Sequence, residues 1–216
     1  MRAQKTLFAV LLPAVLLLTG CAQPSQKYAS NKQEGVYFSI PNSFLKISQE
    51  ELAKQESLNT ATGAADRAAS VLWQEAYTPN GGLKAADVLS IKTPDSPIVF
   101  VRTRALLGDE INSISYNSLR DVIVPLTSWV NGTKTAPNYD ISLDEERVEK
   151  GARGIRSQYW FVSTDGKNQT INQTSLLSND HTKIYILIVR CSTECFTKNE
   201  KELQKISDSF TVRGAK

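Results

Sequence analysis

The chain has 216 residues and a formal net charge of +3, with 41% hydrophobic and 22% charged residues, one His and three Cys. Two of the positive charges, Arg2 and Lys5, lie in the first twenty residues; without them the chain carries +1, which offers no basic footprint for nucleic acid. His181 is the single imidazole, so zinc, which wants four ligands, has no obvious site, and no cofactor is implied.

Leu7 to Leu18 form an apolar run broken by Pro13, behind Arg2 and Lys5 and ahead of the small Thr19 and Gly20. A basic start, a short apolar stretch and small residues at the cut site describe a secretory signal peptide. A membrane-spanning helix would need about 20 apolar residues. Leu18-Thr19-Gly20-Cys21 resembles the bacterial lipobox, in which the cysteine receives a diacylglycerol before cleavage. Residues 1–20 are therefore expected to be signal and Cys21 the lipidation site. Two acyl chains hold a protein stably at a membrane where one binds marginally. Ala22 is not the Asp that retains lipoproteins at the inner of two membranes, so the expected address is extracytoplasmic. It is the outer membrane where there are two membranes, and the outer face of the cell membrane where there is one. Ala22 to Glu34 are polar with little to bury and are expected to be a flexible tether. Residues 35–216 are assigned to a single domain, large enough for a core of its own.

Gly35 to Ile40 reads as a strand closed by Pro41, and Phe44 to Ile47 as extended. Ser48-Gln49-Glu50-Glu51 forms a capping box that opens a helix to about Glu56. Ser57 to Ala69 is a loop or an Ala-rich helical turn. Val71 to Tyr77 alternates as a strand, Asn80-Gly81-Gly82 turns, Val88 to Lys92 is expected to be a short strand, and Ile98 to about Leu107 a strong one. A helix is expected over Ser113 to Val130, where Tyr116, Leu119, Val122, Ile123, Leu126 and Trp129 recur at threes and fours, with Pro125 kinking or breaking it. Tyr139 to Val148 is extended. Gly154–Ser163, Asn168–Leu177 and Lys183–Val189 read as three strands joined by short polar turns, the first with the Asp165-Gly166 hairpin signature. Thr197 to Ser209 is expected to be a helix and Phe210 to Val212 a last strand.

This order describes an α+β fold, a mostly antiparallel sheet with helices packed on its faces. Two ends of the chain carry a further resemblance. The strand Thr182 to Ile188, a short crossing segment and a helix ending Ile206-Ser207-Asp208-Ser209-Phe210-Thr211-Val212 resemble the close of Mog1/PsbP-like domains. The strand Gly35 to Ile40, followed by Pro41 and an aromatic, resembles their opening. Combined with the lipobox, the pattern is similar to the actinobacterial lipoproteins of the LpqN type. That resemblance implies an α/β/α sandwich and a non-enzymatic module that binds an envelope protein or a glycolipid. The oligomeric state is left open.

Outside the cytoplasm, Cys191 and Cys195 are expected to pair as a disulfide. Four residues apart on a regular helix their Cβ atoms would sit beyond bonding reach, so the pair requires a turn between a strand and a helix. Catalytic signals are sparse. His181 lies in a polar turn, and a hydrolase using it would need a serine and an orienting carboxylate in reach. Glu145, Glu146 and Glu149 could form a carboxylate pair for glycoside hydrolysis, but their setting among Arg147, Lys150, Arg153 and Arg156 reads as a solvated face. Aromatic residues are the better lead. Tyr159, Trp160 and Phe161 are consecutive in a strand, with Trp160 pointing opposite to its neighbours. With Trp129 they either fill a two-faced core or line a groove that anchors a partner. A small-ligand or lipid carrier would instead need a cavity of about 300 Å³ or more.

Overall fold

A computed structural model describes residues 25–214. Cys21 and the signal segment lie outside the described residues. In chain order the elements are β1 (Gln26–Asn31), β2 (Val36–Pro41), β3 (Leu45–Ile47), α1 (Gln49–Glu56), α2 (Ala64–Ala69), β4 (Val71–Thr78), α3 (Ala85–Leu89), β5 (Ile98–Ala105), α4 (Tyr116–Arg120), α5 (Leu126–Val130), β6 (Tyr139–Val148), β7 (Ala152–Val162), β8 (Asn168–Ser178), β9 (Lys183–Ser192), α6 (Thr193–Lys198), α7 (Glu200–Asp208) and β10 (Thr211–Val212).

Seven strands form one antiparallel sheet in the order β3-β4-β5-β9-β8-β7-β6, and β1-β2-β10 form a smaller one. The strand β9 sits at the centre and is apolar on both faces, as a strand covered on both sides must be. Its alternate residues divide between two cores. Tyr185, Leu187, Val189 and Cys191 pack with α7 and the small sheet through Phe38, Leu203, Ile206 and Phe210. Ile184, Ile186 and Ile188 face the other side, where Leu52, Val88, Leu119 and Leu126 come from α1, α3, α4 and α5. The result is the expected α+β arrangement, with helices on both faces of a mostly antiparallel sheet.

Four expectations are corrected. Gln26 to Asn31, read as tether, are strand β1, paired along their whole length with β2. A ladder satisfies backbone groups whatever the side chains, so polar composition does not prevent it. Further along the same segment, Glu34 is buried against Lys183 at 2.7 Å. Val88 to Lys92 are not a strand; α3 ends at Leu89 and an irregular loop follows, because the carbonyls of Asp87, Val88, Ser90 and Lys92 turn to Arg190. The single helix expected over Ser113 to Val130 is two five-residue helices, α4 and α5, separated by the non-helical residues 121–125; Pro125, which has no N–H to continue a helix, is the N-cap of the second. The final helix starts earlier than Thr197, as α6 and α7. Cys191 and Cys195 are disulfide-bonded with Cα atoms 5.9 Å apart. The bridge crosses the strand-to-helix turn at Ser192, whose hydroxyl accepts from the Cys195 N–H at 3.3 Å.

Candidate functional site

On the face of the sheet under α3, α4 and α5 lies a cavity of about 640 Å³. Its floor is built by alternation: Phe100 and Arg102 of β5 and Ile186, Ile188 and Arg190 of β9 share this face. One wall is Val88 to Ile91, at the end of α3. The opposite wall is Val122 to Pro125 and Trp129, from the α4–α5 break and α5, with Phe161 of β7 beside it. Pro125 thus has a constructive role. The broken helix presents three consecutive apolar residues to the cavity, where a continuous helix would present one face in three or four.

Each wall is pinned by polar groups. Arg190 is 4% exposed. Its Nη1 donates to the Lys92 carbonyl at 3.0 Å and Gln169 Oε1 at 2.7 Å. Its Nη2 donates to the carbonyls of Asp87, Val88 and Ser90 at 2.9, 3.1 and 2.7 Å. Burial lowers its pKa to about 10, with Asp87 acting the other way. Thr93 ties the same loop to the β7–β8 turn, its N–H donating to Asp165 Oδ2 at 2.9 Å. On the far wall, Gln173 Nε2 donates to the Leu119 carbonyl at 2.8 Å, and the Thr127 N–H donates to Asp121 Oδ1 at 2.7 Å. Arg102 is ion-paired with Glu56, donates to Gln74 and stacks over the Phe100 ring, 4.9 Å from its centroid.

The aromatic candidates separate. Trp129 packs against Phe161, ring centroids 5.7 Å apart, and against Tyr139 at 5.6 Å; Phe161 in turn meets Tyr159 at 6.2 Å. Tyr159 is fully buried beneath this cluster and does not line the cavity. Trp160 lies half-buried on the opposite face of β7, the one it shares with Arg156 and Gln158, which bond Gln204 of α7. Arg156, expected on a solvated face, is buried instead, donating to Asn172, Asp208 and Gln204. Glu145 and Glu146 are exposed neighbours on the edge strand β6, where successive side chains point apart. Glu149 pairs with Arg147 instead. His181 sits at the exposed tip of the β8–β9 hairpin with a φ of +58° and lines neither the cavity described above nor the cleft beside α1 and α2, a setting that does not favour the histidine version of a hydrolase.

The sequence reading missed Arg102, Arg190 and Gln169, which stand in the inner strands β5, β9 and β8. A lone arginine amid Ile188, Val189 and Cys191 was the signal available, because a charge inside a doubly covered strand has to be answered by local partners.

The chain is similar to the solution structure of cyanobacterial PsbP from Synechocystis, at 13% identity and a TM-score of 0.48, over 89% of this chain and 95% of that one. It is also similar to LpqN of Mycobacterium tuberculosis, described as involved in cell envelope biogenesis. That match has 11% identity and a TM-score of 0.47, over 87% of this chain and 90% of LpqN. The Ran-binding protein Mog1p of Saccharomyces cerevisiae matches at 10% identity and a TM-score of 0.43, over 88% of this chain and 96% of its own. These are the three kinds of protein that the ends of the sequence resemble. No family model and no curated protein matches the chain.

Proposed function

We propose that this protein is a cell-envelope lipoprotein, held at a membrane by diacylglycerol on Cys21, that binds a lipid-like molecule without turning it over. The observation that carries this reading is the cavity of about 640 Å³ lined by Val122 to Pro125, Trp129, Phe161 and the sheet floor. Its size falls within the roughly 300–1,000 Å³ typical of small-molecule sites. An envelope protein was the other ligand class the sequence left open. Of the aromatic residues that would anchor it, Tyr159 is buried, and Trp129 and Phe161 line the cavity, which favours a ligand held inside it.

The lipid anchor and the cavity divide the work. The anchor keeps the module at the membrane surface, where lipids are concentrated, and the sheet leaves an apolar space for one of them. Two measurements test the reading. Cys21→Ala should move the protein from the membrane fraction to the soluble one and abolish its labelling by radioactive palmitate; membrane retention with no label would overturn the anchor. In nanodiscs, the lipidated chain should crosslink photoactivatable hexadecanol to peptides carrying Val122–Trp129 or Ile186–Ile188. Ile186→Trp, which fills the floor, should suppress that label. Label scattered over the exposed surface and indifferent to Ile186→Trp would overturn the binding site.

A further inference from the structure

Strand β1 leaves little chain between the anchor site and the fold. The Ser25 carbonyl already accepts from the Asn42 N–H at 3.1 Å, and Lys27 Nζ donates to the Phe44 carbonyl at 2.8 Å. Cys21 stands four residues before Ser25, a reach of about 14 Å even at full extension. A lipid on Cys21 therefore holds one corner of the domain, where β1 begins and β2 hands over to β3, close to the bilayer.

That corner belongs to one whole end of the seven-stranded sheet. By register, the start of β3 lies level with the end of β4, the start of β5, the end of β9, the start of β8, the end of β7 and the start of β6. The cavity reaches the surface at this same end. Of its lining residues, the exposed ones are Ile91 and Thr164. Thr164 lies two residues past β7. Ser163, just past β7, and Gln169, at the start of β8, both donate to the Ile91 carbonyl, at 2.9 and 3.2 Å.

Exposed apolar side chains stand here too. Leu45 is on β3, Ile91 at the rim, and Val130 next to Trp129, whose ring packs on Tyr139 and Phe161. Lys92 and Lys134, close in sequence to two of them, join no ion pair among the described residues. Apolar side chains flanked by lysines suit a lipid–water interface, where the lysine stem lies in apolar surroundings and the ammonium stays among the headgroups. Scattered singly, such residues are ordinary on a protein surface. The short link to Cys21 changes their weight. Docking becomes an intramolecular step at high effective concentration, so weak contacts suffice.

We propose that this end of the domain docks on the bilayer that carries the anchor, with Leu45, Ile91 and Val130 at the interface and the cavity mouth facing the lipids. This rests on the lipid-anchored reading above and deepens it: a lipid passes from bilayer to cavity without crossing water.

The test places the environment-sensitive fluorophore NBD singly at Leu45→Cys, Ile91→Cys and Val130→Cys in the lipidated chain in nanodiscs. Cys191 and Cys195 are disulfide-bonded and do not take the label. Leu72→Cys and Val148→Cys are the controls, both exposed and at the opposite end of the sheet, about 20–30 Å away along the strands. Relative to the soluble Cys21→Ala chain, emission at the first three sites should rise at least threefold. Phosphatidylcholine with a nitroxide in its acyl chain should quench it, with Leu72 and Val148 unmoved. Quenching confined to Leu72 or Val148, or equal emission at all five sites, in a chain that co-elutes with the nanodiscs would overturn the docking and leave the anchor standing. A chain that does not co-elute with the nanodiscs would overturn both.

Discussion

Tyr159 buries its hydroxyl with no hydrogen-bond partner, and burial, with a smaller contribution from Asp121, raises its pKa beyond the usual tyrosine range. An unmade hydrogen bond at a buried hydroxyl costs about 1–3 kcal/mol. Tyr159→Phe is therefore expected to leave stability unchanged or raise it by about 1 kcal/mol in urea denaturation; a loss greater than that would mean the hydroxyl has a partner such as a buried water. Gly154 behaves in the opposite way. A Cβ there would meet the Ser175 carbonyl oxygen at 2.1 Å and Leu119 Cδ1 at 3.0 Å, because β8 and α4 both close on this point. Gly154→Ala should cost at least about 2 kcal/mol, the scale of overpacking in a core, and a variant as stable as wild type would contradict this packing. Neither effect is legible from residue type. A tyrosine in a strand and a glycine between Arg153 and Ile155 say nothing of which neighbours surround them.

Among the elements, α4 and α5 are each five residues long, well short of the roughly 12–15 at which an isolated helix becomes even marginally stable. They persist because Gln173 and Asp121 hold their ends and Leu119 and Leu126 are buried. Hydrogen exchange should therefore open 116–130 before β7, β8 and β9, and bound ligand should slow that opening; uniform protection across both would count against a separable cover. The loop leading into this cover is tied to β5 by Arg104, whose guanidinium holds the Glu110 carboxyl below the usual carboxylate range, aided by the Leu107 N–H. A depressed folded pKa means stability present above the unfolded value of about 4.3 and lost as pH falls through the lower folded value. Glu110→Gln should remove part of the loss seen on acidification below roughly pH 4; an unchanged acid limb would show the pair to be silent. The Cys191–Cys195 bridge closes a short loop, so replacing both with Ala should cost no more than about 2 kcal/mol by loop entropy.

For the whole molecule, the seven-stranded sheet separates two tasks. One face, with α7 and the small sheet, is closed by Phe38, Tyr185, Leu203 and Phe210. The other is covered only by short elements and retains the cavity. A long helix packs its full apolar stripe and leaves little space; two helices of five residues joined by a break do not. The site therefore lies where the fold spends its least regular structure, and the central sheet keeps Ile186, Ile188 and Arg190 fixed beneath it. A ligand entering there is expected to raise the melting temperature without changing the sheet's own protection order, which thermal unfolding with and without hexadecanol would read.

The sequence alone determined the elements whose patterning is local. The Ser48 capping box, the break at Pro125, the Asp-Gly hairpin and the strand Tyr139–Val148 follow from propensity, turn chemistry and alternation within a few residues. The strand Lys183 to Val189 was also read from its sequence, and the structure covers it on both faces. Tertiary structure alone decided which side chains share a surface. Strand β1 formed because β2 offered a ladder, which polar composition does not reveal. Trp129 and Phe161 met while Trp160 turned to the other face of the sheet, because that depends on the two faces having different covers. The cavity and the buried Arg190 that lines it are products of β5, β8, β9, the α3 loop and the α4–α5 break together. Local rules act over a few residues, whereas a cavity and a buried charge met by backbone carbonyls are properties of segments about a hundred residues apart in sequence brought together in space.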